Sequence, residues 1–247
     1  MPRFKLTLEY DGSNYSGWQR QEKLHTIQGA LELAIFRFSG QQLTITTAGR
    51  TDAGVHATGQ VAHIDFEKNW HAHTVRDALN AHLQQQKEDI SVLSVQNVSE
   101  TFHARFCATK RHYLFKILNR RAPPALNAKR VWWVPKPLNA DAMHEAAQKL
   151  LGRHDFTTFR SAHCQAESPI RTLERLDVQR EGEEIFLYAQ ARSFLHHQIR
   201  SFAGSLMEIG IGRWTAKDLE AALHAKDRTR CGMVAPPSGL YLTQVDY

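Results

Sequence analysis

The chemistry legible in this chain starts from one carboxylate. Asp52 sits in "AGRTDAGVHA", residues 48–57, two residues after Arg50 and between Gly49 and Gly54. Glycines at these positions permit tight turns or positive φ on both sides of the acid. Taken alone, the stretch reads as a turn in which Asp52 bonds its own backbone. A phosphate-binding loop does not fit, because no Gly-Lys-Ser/Thr follows at the required spacing. A calcium loop does not fit either, because one carboxylate cannot supply the several oxygens that ion takes. An aspartate of ordinary pKa, about 3.9, is ionised at neutral pH. What the loop offers is therefore a single negative charge. In an extended loop residues two apart share a side, which lets Arg50 and Asp52 face the same way.

Histidines invite a metal reading. His56, His63, His71, His73, His196 and His197 have no acid or cysteine companion at a standard zinc spacing. His71-x-His73 follows the polar turn "EKNW" and reads as wet surface. Cys107, Cys164 and Cys231 are far apart, odd in number and without a C-x-x-C. They point to reduced thiols in a cytoplasmic protein. No metal is expected.

The elements that must position Asp52 alternate between strands and helices. Phe4, Leu6, Leu8 and Tyr10 alternate with Lys5, Thr7 and Glu9 as in a half-buried strand. Ile27, Ala30, Leu31, Ala34, Ile35 and Phe38 recur at helical spacing, and Gly40 closes that helix. Leu43 to Thr47 runs as a strand into the Asp52 loop, and Val61 to Phe66 is the next strand. Thr74, with Asp77 as a partial capping box, is expected to open a helix through Leu83. Ile90 to Val95 returns as a strand. Phe102 to Ala108 and Arg111 to Leu118 read as paired strands. Met143 to Leu151 reads as a helix ending at Gly152, and Leu173 to Val178 and Ile185 to Ala191 as strands. His196 to Gly210 reads as a helix, Thr215 with Asp218 as a capping box, and "GLYLTQVDY" as a closing strand. The expected class is α+β: two similar α/β halves, residues 1–105 and 106–247, around a mainly antiparallel sheet. Neither a residue-level repeat nor a flexible linker marks the join.

Composition adds a weak constraint. The 247 residues are 42% hydrophobic, and 31 Lys/Arg against 25 Asp/Glu leave a net charge of +6. That excess fits a polyanionic partner and fits chance equally well. "KRHY", "NRRAPP" and "NAKR" cluster between residues 110 and 130 as a candidate phosphate-tracking surface. Trp132 and Trp133 adjoin it, one for core packing and one for base stacking. The opening "MPRFKLTLEY" has no apolar signal-peptide core. No apolar run approaches the roughly 18 residues that span a membrane.

"GRTDAGVHATGQVAHID" resembles the signature of the TruA family, the tRNA pseudouridine synthases acting on the anticodon stem-loop. "LEYDGSNYSGWQRQ" is similar to that family's opening strand and loop, and "FHARFCATKRHYLFKI" to its central strand pair. "GRHDFTTFR", "SPIRTL", "SFLHHQIRSFAGSLMEIG" and "APPSGLYL" resemble its second half, in the family's order. The polar "HLQQQKEDI" departs from the family's short Leu-Pro turn, which bears on that loop and not on the chemistry.

The resemblance implies the pseudouridine-synthase fold with an RNA-binding cleft between its halves. It implies conversion of uridine to pseudouridine at positions 38, 39 and 40 of tRNA. The N1–C1′ bond breaks, the uracil turns, and C5 bonds to C1′, with no redox change. An ionised carboxylate acting covalently suits that reaction, and the resemblance assigns the role to Asp52. Attack at C1′, attack on the uracil ring and a glycal route all remain open. By the same resemblance Arg200 pairs with Asp52, Tyr113 stacks on the target uracil, and Leu240 walls the pocket. An enzyme acting on a stacked base must take it out of the helix, and Arg50 is the candidate for holding the phosphate or filling the vacated space. Read without the family, these residues are a helix arginine, a core tyrosine sharing a face with Phe115 and Ile117, a core leucine and a surface salt bridge. His196 and His197 become packing or RNA contacts. The resemblance also implies a cytoplasmic homodimer. Two rivals stand beside it. One is an RNA-binding protein that kept the fold and lost catalysis. The other is a glycoside hydrolase, whose chemistry usually needs two positioned carboxylates.

Overall fold

Alternation puts Phe4, Leu6, Leu8 and Tyr10 on the buried face of strand β1 (Arg3–Tyr10). The computed structural model describes residues 1–247. They form two compact units, Met1–Thr109 with Tyr241–Tyr247, and Lys110–Leu240.

In the first unit, helix α1 (Ile27–Ser39) follows β1. The Thr26 side chain accepts the Gly29 N–H at its start, and Gly40 closes it in the left-handed region at φ 73°. The strand expected from Leu43 pairs only at β2 (Thr46–Thr47). Strand β3 (His56–Asp65) runs antiparallel to β1, with Leu6 opposite Ala62, and β2 pairs along it. Helix α2 (Ala72–Gln85) begins earlier than expected. His71 sits at its N-cap without a side-chain bond, and Thr74 lies inside. Asp77 takes the Arg76 Nε–H at 2.8 Å instead of closing a capping box. The buried stripe Val75, Leu79 and Leu83 therefore sets this helix, not its cap. Strand β4 (Ile90–Val98) pairs antiparallel with the other edge of β1.

Phe102 to Ala108 does not form the expected strand. His103 Nδ1 accepts the backbone N–H of Arg105 at 3.2 Å and of Phe106 at 3.3 Å. The Cys107 N–H donates to the His103 carbonyl at 2.9 Å. These local bonds take up backbone groups that a strand ladder would need.

In the second unit, strand β5 (Lys110–Leu118) pairs in parallel with the short β6 (Trp132–Trp133). Helix α3 (Ala140–Ala147) is capped by Asn139, and Gly152, at φ 96°, opens β7 (Gly152–Asp155). Strands β8 (Ile170–Glu181) and β9 (Glu184–Ala191) form a hairpin. β9 lies antiparallel between β5 and β8, and β7 pairs with the far edge of β8. Helix α4 (Gln198–Gly210) starts two residues after the expected His196, because His197 is left-handed at φ 64°. It buries Ile199, Phe202, Ala203, Leu206 and Ile209. Helix α5 (Ala216–Ala225) carries the expected Thr215–Asp218 capping box.

Strand β10 (Leu240–Asp246) ends the chain. In the first unit it pairs in parallel with β3, Tyr241 opposite His56 and Leu242 opposite Ala57. The class is mixed α/β with mainly antiparallel pairing, as expected. No helix is long and apolar enough to cross a membrane.

Candidate active site

The Asp52 loop joins β2 to β3. Along it Arg50 is exposed, Thr51 is buried and Asp52 is half-buried. Thr51 turns inward, where its hydroxyl meets the Tyr10 hydroxyl at 2.8 Å. Gln60 Nε2 donates to the Gly49 carbonyl at 2.8 Å and to the Tyr10 hydroxyl at 3.3 Å. Burial pushes the Tyr10 hydroxyl up to about 12, against the opposing pull of its bonds to Thr51 and Gln60. It is a neutral prop at physiological pH. The turn closes where the Val55 N–H donates to the Asp52 carbonyl at 3.1 Å.

The two glycines flanking Asp52 differ. Gly54 has φ 77°, the left-handed region. Gly49 lies outside that region, and a Cβ there would meet nothing within 4 Å. Of the two, only Gly54 uses the positive φ that a glycine permits.

Two other glycines hold the loop from outside. A Cβ at Gly12 would lie 2.0 Å from the Val55 carbonyl oxygen. A Cβ at Gly17, at φ 90°, would lie 2.9 Å from the Thr51 oxygen and 3.1 Å from the Ala53 nitrogen. The segment after β1 thus packs backbone to backbone against the residues on both sides of Asp52. The Trp18 N–H donates to the Thr51 carbonyl at 3.0 Å, and the N–H groups of Ile27 and Gln28 bond back to Gly17 and Trp18. The loop is sewn to the start of α1. His56, 2% exposed, ends the loop. Its Nδ1 accepts the Gly12 N–H at 3.1 Å, and its ring stacks on Tyr241 at 4.7 Å. Sequence reasoning missed Gly12, Gly17 and this use of His56. The only signal was two glycines in "YDGSNYSGW", whose contacts lie some forty residues downstream.

In the second unit, Tyr113 lies on β5 opposite Ala189. Its ring meets Phe194 edge-on at 5.2 Å. Its face neighbours Phe115 and Ile117 are buried, whereas Tyr113 is half-buried. Arg200 is half-buried in the first turn of α4. Its Nε–H donates to the Ala235 carbonyl at 2.8 Å, and the Ala235 N–H donates to the Arg200 carbonyl at 3.0 Å. A few residues on, a Cβ at Gly239 would lie 2.5 Å from the Lys116 carbonyl oxygen and 3.0 Å from the Phe115 ring. Residues 235–239 therefore connect the helix of Arg200 to the strand of Tyr113 and lead into Leu240, which is 6% exposed. Three of the expected site residues hang on this one scaffold. The other two, Arg50 and Asp52, share the loop of the first unit.

The basic cluster is thinner than expected. Lys110 pairs with Glu174 at 2.8 Å and Arg120 with Glu183 at 3.0 Å. Arg111 is buried and donates to the Arg192 carbonyl. Arg121, Lys129 and Arg130 are exposed. Trp132 is buried edge-on against Phe115, and the Trp133 indole N–H donates to the Arg120 carbonyl at 2.8 Å.

Compared with known proteins, residues 7–107 and 146–247 match the family described as tRNA pseudouridine synthase. The chain is 85% identical over 247 residues to tRNA pseudouridine synthase A of Bartonella henselae, covering all of both chains. It is 82% identical to the protein of that name from Bartonella bacilliformis over the same span. With that from Brucella ovis it is 64% identical over 247 residues, which is all of this chain and 98% of the other.

Proposed function

Because the chain belongs to the tRNA pseudouridine synthase family, we propose that it isomerises uridine to pseudouridine at positions 38 to 40 of the tRNA anticodon stem-loop, with Asp52 as nucleophile. The N1–C1′ bond breaks and the C5–C1′ bond forms. The C5 hydrogen leaves to solvent and N1 takes up a proton, so no electrons are gained or lost. The observation that carries this reading is the half-buried carboxylate on a loop whose backbone is fixed at Thr51 and Val55, inside the family-matched stretch.

Arg200 pairs with the reacting carboxylate, and its pinning to Ala235 supports a fixed guanidinium direction. Tyr113 stacks on the uracil, a role supported by its partial exposure on an otherwise buried strand face. Leu240 supplies an apolar wall. Arg50, exposed beside Asp52, contacts the tRNA backbone or fills the space of the displaced base. The enzyme works as a cytoplasmic homodimer without a metal or cofactor.

The test uses tRNA tritiated at uracil C5. Pseudouridylation releases that tritium to water, whereas binding or glycosidic hydrolysis alone does not. Asp52→Asn should abolish release. Its tRNA affinity, dominated by backbone charge, should stay within about threefold. Arg200→Met should cut turnover far more than affinity. No release from any tRNA bearing anticodon-arm uridines would sink the enzyme reading, and a fully active Asp52→Asn would sink the nucleophile.

A further inference from the structure

We infer that His56 is a positioning residue, whose imidazole Nδ1 holds the backbone that fixes the Asp52 loop. This rests on the reading of Asp52 as nucleophile. Three contacts close a ring. His56 Nδ1 accepts the Gly12 N–H at 3.1 Å. Gly12 lies against Val55 so closely that a Cβ would fall 2.0 Å from its carbonyl oxygen. The Val55 N–H in turn donates to the Asp52 carbonyl at 3.1 Å. A shift of Gly12 away from Val55 therefore loosens the turn that presents the carboxylate.

The imidazole suits this task because it has little freedom. It is 2% exposed and stacked on Tyr241 at an interplanar angle of 23°. Its direction is set by packing, so Nδ1 points where Gly12 needs an acceptor. The same nitrogen lies 3.1 Å from Asp11 Oδ1. That second contact is attractive only with Nδ1 protonated, whereas Gly12 needs Nδ1 bare. The Ser13 N–H already donates to Asp11 Oδ1 at 2.9 Å. Donation from Gly12 requires the tautomer with Nδ1 bare and the proton on Nε2, and Asp11 Oδ1 keeps its bond from the Ser13 N–H. Small misplacements of a reacting group cost rate steeply, about 100-fold for 1 Å.

Asparagine and leucine separate positioning from bulk. The Asn side-chain oxygen reproduces an Nδ1-type acceptor, whereas Leu fills space without one. Single-turnover tritium release at saturating tRNA is measured beside tRNA affinity and the urea midpoint. His56→Leu should lower the rate about tenfold to 100-fold with affinity within about threefold. His56→Asn should recover most of that loss. Equal rates for the two variants, or a loss confined to affinity, would overturn the inference. Should His56→Leu fail to fold, His56→Gln takes its place, since its longer amide reaches toward the Nε2 position and leaves Gly12 unserved. Asp52→Asn is run in parallel. If it is inactive while His56→Leu matches wild type, only this inference fails. If Asp52→Asn is active, the nucleophile reading fails first.

Discussion

Between Arg50 and Asp52 lies Thr51, 7% exposed, whose hydroxyl meets that of Tyr10 at 2.8 Å. With this one side chain turned inward, Arg50 before it is exposed and Asp52 after it half-buried. The bond survives across the physiological range because Tyr10 holds its proton up to about 12. Tyr10→Phe keeps the ring beside Trp18, 6.1 Å away, but takes a partner from Thr51 and another from Gln60. Leaving a buried hydroxyl short of a partner costs about 1–3 kcal/mol. The urea midpoint should fall accordingly with an unchanged m-value. A cost below about 0.5 kcal/mol, under the usual net value of one such bond, would mean that Thr51 is held by something else. At this scale the sequence speaks unevenly. The expectation that Arg50 and Asp52 share a side rests on spacing alone. The duty of Gly12 and Gly17 does not, because a close backbone approach leaves no mark until the approaching segment is known.

Helix α4 carries Arg200, and Gly204 one turn later lets an extended segment lie across it. A Cβ at Gly204 would sit 1.7 Å from the Met233 carbonyl oxygen. Two effects of Gly204→Ala compete. Helix propensity gains about 1 kcal/mol. Overpacking costs about 1–3 kcal/mol, and the upper end applies because the clash is with backbone. The expected net is a loss of about 1–2 kcal/mol in chemical denaturation. Displacing Met233 also drags Ala235 from Arg200, so tritium release should fall with it. A variant more stable than wild type would show that the segment does not rest on Gly204. The helix itself was readable, because Ile199, Phe202, Ala203, Leu206 and Ile209 repeat at helical spacing and are buried. The segment that covers it was not, having no period of its own. The same distinction explains two other departures. The His103 ring bonds its own backbone and turns 102–108 away from a strand, and α2 forms on its apolar stripe without the cap that Thr74 promised. The parallel pairing of β10 with β3 joins residues nearly two hundred positions apart, beyond the reach of any local pattern.

At the scale of the whole chain, the first unit gathers its most distant segments around one buried histidine. His63 is 6% exposed, and its Nδ1 accepts the Ala104 N–H at 3.1 Å. The C-terminal Tyr247 hydroxyl donates to the Ala104 carbonyl at 2.9 Å, and Lys5 Nζ lies 4.7 Å from the Tyr247 ring centre. Beside His63 the Arg3 guanidinium grips Asp65 at 2.6 and 2.7 Å, and the His103 ring stands 4.9 Å away. Burial, then the charges of Arg3 and His103, push His63 down to about 4, against a smaller opposing pull from Asp65. An unfolded histidine titrates near 6.5. Between those values the unfolded chain binds a proton that the folded chain refuses, so stability falls as pH drops through that window. The Arg3 hydrogen bond holds Asp65 below the usual carboxylate range, so its contribution is lost only on further acidification. His63→Asn keeps an acceptor for Ala104 and cannot titrate. Wild type should exceed it in urea midpoint at pH 7, with the gap narrowing steadily toward pH 4 as only wild type pays the proton cost. Acids and histidines remote from His63 shift both proteins together and cancel in the difference, whereas Asp65 and His103 are coupled to His63 and belong to the junction being tested. A gap that stays constant from pH 7 to pH 4 would mean that the folded chain accepts the proton at His63 as readily as the unfolded one, and that this junction of remote segments is not what acid weakens first.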